Sequence, residues 1–259
     1  MRLSLLARCR LAALCTAPLL LAACSNSGSS QPAPAANIAP VDAATAGSIS
    51  VTVTYSGDAP AAKPINMSGV PACAALHPEP VLDQSVRVRG GKLADVVVYV
   101  QSGFGNRGFA APTQPVIIDQ QGCLYHPQVS AVMVGQPLEF RNSDSEGHNV
   151  HGRPQIAEAW NFLMSRQGAT RDVLFSKPEI GIPVGCDIHP WMRAYVSVFD
   201  NPYFGVSGTD GTVSLKNLPP GDYVIGAWHA TLGTLVKPVS LAPSAAATID
   251  IAYRAPGGN

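Results

Sequence analysis

The chain has 259 residues, room for one sizeable domain or two small ones, and is 46% hydrophobic against 13% charged. Its 17 basic and 17 acidic side chains cancel, but Arg2, Arg8 and Arg10 fall in an acid-free leader, so the remainder carries a small negative excess. A body without a basic stripe excludes nucleic acid as a partner. The 24 glycines have no three-residue period and, with 23 prolines and no long amphipathic run, they predict an all-β chain of short strands and many turns.

The first elements read as an address. Met1–Arg10 carries positive charge, and the apolar run Leu11–Ala23 is too short to span a bilayer as a helix. Its end, Leu21-Ala22-Ala23-Cys24, resembles a bacterial lipoprotein cleavage box. The resemblance implies that residues 1–23 are a signal peptide and that Cys24 receives a lipid anchor. The alternatives are an ordinary small-residue cleavage site or an uncleaved anchor. Ser25 in place of aspartate implies an exported protein held at the outer membrane, facing the periplasm. Residues 24–46 are small, polar and Pro-rich, and are expected to form a disordered tether reaching roughly 70 Å when extended.

Strand signals begin at Gly47–Tyr55, where polar or small residues alternate with β-branched ones, and continue at Ala94–Gln101. Val116–Asp119 and Val132–Asn142 follow, the latter broken by the turn Gly135-Gln136-Pro137, and Tyr195–Phe199 closes this group. Beyond residue 200 turn signals flank a short alternating strand in Gly208–Tyr223, with further strands expected at 224–228, 236–241 and 247–253. The pattern Asp210-Gly211 to Leu215, then Leu218-Pro219-Pro220-Gly221-x-Tyr223, resembles the carboxypeptidase-regulatory-like or transthyretin-like β-sandwich.

Six cysteines need placing. Cys9 and Cys15 leave with the signal, and Cys24 takes the lipid. Cys73, Cys123 and Cys186 remain, an odd number for an oxidising compartment. Because Cys186 has His189 and Met192 beside it, Cys73 and Cys123 are expected to form a disulfide. The alternative is a buried free thiol among them.

The chemistry lies in two segments, Phe140–His151 and Val184–Met192. The second holds Cys186-x-x-His189-x-x-Met192, three donors on one seven-residue loop, and the first supplies His148. A thiolate, two imidazoles and a thioether select copper and suit both its oxidation states. Zinc is the competing metal, with Asp144 or Asp187 completing a Cys-His-His set. His151 competes with His148. On a strand the two face opposite ways, so only one can reach the metal. His77, His126 and His229 are expected to be structural or solvated, with a weak second site from His77 and His126 as a remote alternative.

These segments resemble the cupredoxin family. The short ligand loop resembles its amicyanin and pseudoazurin members, as do Asn142 and the run His148-Asn149-Val150. The match to His-Asn-Val favours His148 over His151. The resemblance covers about residues 112–200 and implies a Greek-key β-sandwich with one mononuclear type 1 site at His148, Cys186, His189 and Met192. It also implies that Asn149 braces the ligand loop from behind. Pro183, Val184, Met133, Pro190 and Trp191 are expected to form an apolar collar, with His189 as the electron-exit edge.

The expected organisation is a copper domain at 112–200, set between the N-terminal (47–111) and C-terminal (201–259) strands of an accessory Ig-like or transthyretin-like sandwich. The expected function is electron transfer at the cell envelope, with a redox partner such as a c-type cytochrome or a periplasmic dehydrogenase. Copper storage, delivery or sensing is one alternative, and a non-redox binding or scaffold module is another. With four donor positions filled and no separate acid, base or nucleophile cluster, an enzyme is not expected.

Overall fold

A computed structural model describes residues 40–83 and 85–255. The signal segment, Cys24 and residues 25–39 of the expected tether lie outside the described residues. The last tether residues are not loose: Asp42–Ala46 form a turn, and Ser244 donates from its backbone to Thr45 and from its hydroxyl to Ala44. No helix among the described residues is long and apolar enough to cross a membrane.

The chain is nearly all β, with one five-residue helix, α1 (Pro71–Ala75), among the described residues. Its main sheets stack in four layers around two large cores. In the outermost layer, Gly47–Ser56 pairs antiparallel with Thr212–Leu218 and parallel with Ala246–Arg254. Alternation along this strand buries Ile49, Val51, Val53 and Tyr55 on one face. They meet Val96, Val98, Val100, Ile225 and Ala227 across the outer core. Those partners belong to the second layer, where Val97–Ser102 lies between Phe204–Val206 and Gly221–His229, and Gly233–Leu241 forms the edge. The Leu-Pro-Pro-Gly-Asp-Tyr motif has a physical use here: the Tyr223 hydroxyl donates back to the Pro219 carbonyl at 2.6 Å, fixing the turn that starts the strand.

The third layer contains Trp160–Met164, His148–Gly152, Glu179–Gly185, Arg193–Phe199 and Val129–Met133, in that order. The fourth runs Thr170–Val173, Leu138–Asn142, Val116–Gln121, Leu124–His126. The turn at Gly135-Gln136-Pro137 carries the chain from the third layer to the fourth. Ile118, Leu138, Phe140, Val150, Ile182, Val184 and Val196 fill the core between them. The second and third layers are joined by a smaller cluster in which Tyr99 stacks on Phe199 at 4.8 Å and Phe199 on Phe204 at 5.0 Å.

Candidate metal centre

Asn142 ends its strand fully buried and shapes the loop that follows. Its amide donates to the carbonyls of Glu146 and Met164, and its side-chain oxygen accepts from the Asp144 backbone N–H. This Asx-type turn delivers His148 to the first position of its strand, with no solvent exposure. Across the sheet, Glu179–Gly185 runs straight into the loop carrying Cys186 and His189. That loop closes on itself, since Met192 donates to the His189 carbonyl at 2.9 Å and Cys186 donates to the Met192 carbonyl at 3.3 Å.

The two imidazoles point Nδ1 at Nδ1, 2.9 Å apart, and Cys186 Sγ stands 3.6 Å from His189 Nδ1. The donor atoms of His148, Cys186 and His189 all lie within 4.8 Å of one another, and all three residues are buried. Met192 is buried beside Cys186 in the same core.

The outer nitrogen of His148 fixes its tautomer. His148 Nε2 is 2.9 Å from Asp144 Oδ2, so it carries the proton and donates to the carboxylate. His189 Nε2 lies 3.6 Å from Cys73 Sγ. Cys73 and Cys123 form a disulfide, as their count predicts, and a disulfide sulfur has no hydrogen to give. With its proton on Nε2, His148 presents an Nδ1 lone pair, and His189 Nδ1, 2.9 Å away, can donate to it in the metal-free protein or join it on a cation. Two nitrogens bound to one ion at about 2.0–2.1 Å stand roughly 3 Å apart, so the observed spacing fits a first-row metal. The Asn149 backbone N–H donates to Cys186 Sγ at 3.4 Å.

Asp144 does more than orient His148. Its carboxylate also accepts from the backbone N–H groups of Gly122 and Cys123, at 2.7 and 2.8 Å. These two residues form the tight hairpin turn between Val116–Gln121 and Leu124–His126, both with positive φ. Cys123, at φ 54°, occupies a left-handed conformation that costs a side-chain-bearing residue on the order of 1–2 kcal/mol. Asp144, the disulfide and Trp191, whose indole N–H donates to the Cys123 carbonyl, hold it there. Tyr125, two residues on, donates its hydroxyl to the carbonyls of Asn149 and Gly185, and burial raises its pKa well above the ordinary phenol value.

Asn149 is a strap on the ligand loop. Its amide donates to Asn161 at 2.7 Å and to Asp187 at 3.0 Å, while its oxygen accepts from the Asp187 backbone. Asp187 is turned outward into a network with His151, Arg153 and Asn161. The His151 hydrogen bond is the main influence holding its carboxyl down to about 2. His151 is thus engaged with Asp187, whereas His148 lies among the donors. Asp144 presents Oδ2 to the outer nitrogen of His148, on the side away from its Nδ1.

Two expectations about the surroundings are corrected. His189 is not an exposed edge: it is 2% exposed, its Nε2 covered by the disulfide and its ring flanked by Trp191 at 5.3 Å. α1, which carries Cys73 and shows no periodic signature in sequence, forms this cover. Burial first, and the neighbouring His148 second, hold the His189 pKa below the ordinary imidazole value. The apolar collar is also incomplete. Val184 is buried in the core, and Met133 pairs with Phe199, six residues along the strand from Arg193 and therefore about 20 Å from the loop end. Pro183 and Pro190 do border a cavity of about 390 Å³ that reaches Cys186 and Met192, but Arg153, Asp187 and Arg193 share its wall.

Two of the remaining histidines have other partners. His77 Nε2 lies 2.7 Å from the Gly122 carbonyl, and His229 Nδ1 accepts from the backbones of Thr231 and Leu232. Neither His77 nor His126 belongs to a cluster of metal-ligating groups among the described residues.

No family model and no curated protein matches this sequence. Solved structures do. A purple cupredoxin from Nitrosopumilus maritimus aligns at 20% identity over 32% of this chain and 98% of its own, with a TM-score of 0.28. A reduced amicyanin variant aligns at 21% identity over 40% and 98%, with a TM-score of 0.30. A copper-containing nitrite reductase from Thermus scotoductus aligns at 19% identity over 57% of this chain but 28% of its own, also at 0.30.

Proposed function

We propose that His148, Cys186, His189 and Met192 bind one copper ion as a mononuclear type 1 site, and that the protein carries electrons at the bacterial cell envelope. The observation that carries this reading is the donor set itself. Two Nδ1 atoms and a thiol sulfur converge in a buried space, with His148 Nε2 bonded to Asp144 and His189 Nε2 lying against the disulfide. Thiolate, imidazole and thioether together favour copper over zinc, which seldom accepts methionine. Zinc would need a carboxylate or water in fourth place, and both neighbouring carboxylates are committed elsewhere.

Copper bound here would supply one-electron chemistry. The chain's own contribution is to hold the donors still: Asp144 orients His148, Asn149 straps Asp187, and Tyr125 ties Asn149 to Gly185. Rigid donors limit reorganisation between oxidation states. The partner in this reading is a redox protein such as a c-type cytochrome or a periplasmic dehydrogenase. The expected lipid at Cys24 would keep the protein at the outer membrane. The proposal is a carrier rather than an enzyme.

The test is the visible spectrum after Cu(II) addition. An intense thiolate-to-copper band is expected, lost completely in Cys186→Ala. A colourless protein that takes up zinc equally well would overturn the reading. One observation favours a second use, copper storage or delivery: the burial of His189 beneath the disulfide, which removes the usual route for short electron contacts. Fast electron self-exchange with slow metal loss to a chelator supports the carrier, and the opposite pair of rates supports storage.

A further inference from the structure

His189 has two faces, and only one belongs to the centre described above. Behind it, Cys73 and Cys123 are fully buried, and their sulfurs lie with a ring nitrogen of His189 within a 4.8 Å cluster. The nearest approach is 3.6 Å, from Cys73 Sγ to His189 Nε2. As a disulfide the two sulfurs are uncharged, weak acceptors. As thiolates they would be strong soft donors next to an imidazole nitrogen, Cys123 on a turn anchored by Asp144 and Trp191 and Cys73 on α1.

We infer that reduction of the Cys73–Cys123 disulfide opens a second metal site, made of the two sulfurs and His189 Nε2, for a soft monovalent cation of the Cu(I) class. A dithiol reductant supplies two electrons and two protons. The protein S–S bond breaks, two protein thiols form, and the reductant leaves as its own disulfide. Each thiol gives its proton to water as it takes the metal, and His189 gives up any proton held on Nε2 in the same way. The sulfurs are buried, so the reductant enters by local opening of the segment from Lys63 to Asp83. The two short strands of that segment pair only with each other, and it meets the body through the buried Met67 and Cys73 side chains and the contact between His77 and Gly122. The inference does not rest on the type 1 assignment, because it uses the opposite nitrogen of His189.

The experiment uses the full chain carrying Cys9→Ser, Cys15→Ser and Cys24→Ser, so that no other thiol adds to the count. Disulfide-intact protein and protein reduced with dithiothreitol, then freed of it anaerobically, are titrated with Cu(I) against a chromophoric chelator. Cys186→Ser in the same background isolates the second site. The reduced form is expected to bind one equivalent more than the intact form. That equivalent should persist in Cys186→Ser, vanish in Cys73→Ser/Cys123→Ser, and weaken roughly tenfold or more in His189→Gln. Equal stoichiometry in the two redox forms, with two new thiols confirmed, overturns the inference. So does an extra equivalent whose affinity ignores His189, since two thiols of an opened chain would then suffice. Failure of the first equivalent in the intact form would instead overturn the type 1 reading and leave this site standing.

Discussion

The outer core and the metal-site core are built from similar strands but bury different things. Around the outer core the buried polar groups are few and bond mainly to backbone: Ser207, Asn201, His229 and the tyrosine hydroxyls that donate from Tyr203 to Asn217, Tyr223 to Pro219 and Tyr253 to Ala227. The other core and its rim bury Gln120, Asn142, Asp144, His148, Asn149 and His189. These polar groups are cross-braced by hydrogen bonds, so the second core keeps titratable groups out of water at a cost that its partners offset. A core that only needs to stay folded can be apolar throughout. One that must hold donors in place needs a scaffold of side-chain hydrogen bonds around them.

Substitutions that touch one core and not the other sharpen this contrast. Ile225→Ala, fully buried in the outer core, is expected to cost about 2–5 kcal/mol of stability, read as a lower urea midpoint. The visible band of the copper-loaded protein should stay where it is, and a shifted band would break the division. Asp144→Asn is expected to act the other way. It keeps the volume but removes the charge that orients His148, and copper affinity measured by chelator competition should fall roughly 10- to 100-fold. An unchanged affinity would show that the carboxylate serves the Gly122–Cys123 turn alone.

The smallest effect is expected at Asp187. Its carboxyl is held at about 2, below its ordinary 3.8, chiefly by His151. Its stabilisation is therefore present above pH 4 and is lost as pH falls through about 2. Thermal melts of metal-free wild type and Asp187→Asn between pH 2 and 6 should differ most at the upper end and converge towards the lower. Parallel curves would remove His151 and Asp187 from the set of braces.

The ligand loop was legible because its donors are contiguous: Cys186, His189 and Met192 need no tertiary information to be grouped. His148 required choosing between two histidines, and the outward network of His151 with Asp187 is consistent with the side-chain alternation of a strand. Several strands were legible by alternation, with Gly47–Ser56 the clearest example. The cover over His189 was not. α1 is too short for a helical period, and what places it there is a disulfide across 50 residues of sequence. Asp144 was read as a possible metal ligand because only its type and nearness in sequence were visible. Its direction depends on the hairpin turn it holds. The edge strand Trp160–Met164 was not legible either: its exposure alternates, but the apolar Leu163 on the outward face hides that alternation in the sequence.

The strand Gly47–Ser56 has a mechanical consequence. It is the first strand among the described residues, and its backbone is zipped in parallel to Ala246–Arg254 over nine residue pairs and antiparallel to Thr212–Leu218 on its other side. A pull along the chain from the N-terminal side loads these ladders lengthwise, so many hydrogen bonds must slide together before any one gives. That load meets the outer layer first, while the loop from Cys186 to Met192 sits two layers away, beyond the stacked Tyr99 and Phe199. Tension entering ahead of Gly47 is thus borne by a part of the molecule that holds no donor, two layers from His148 and His189.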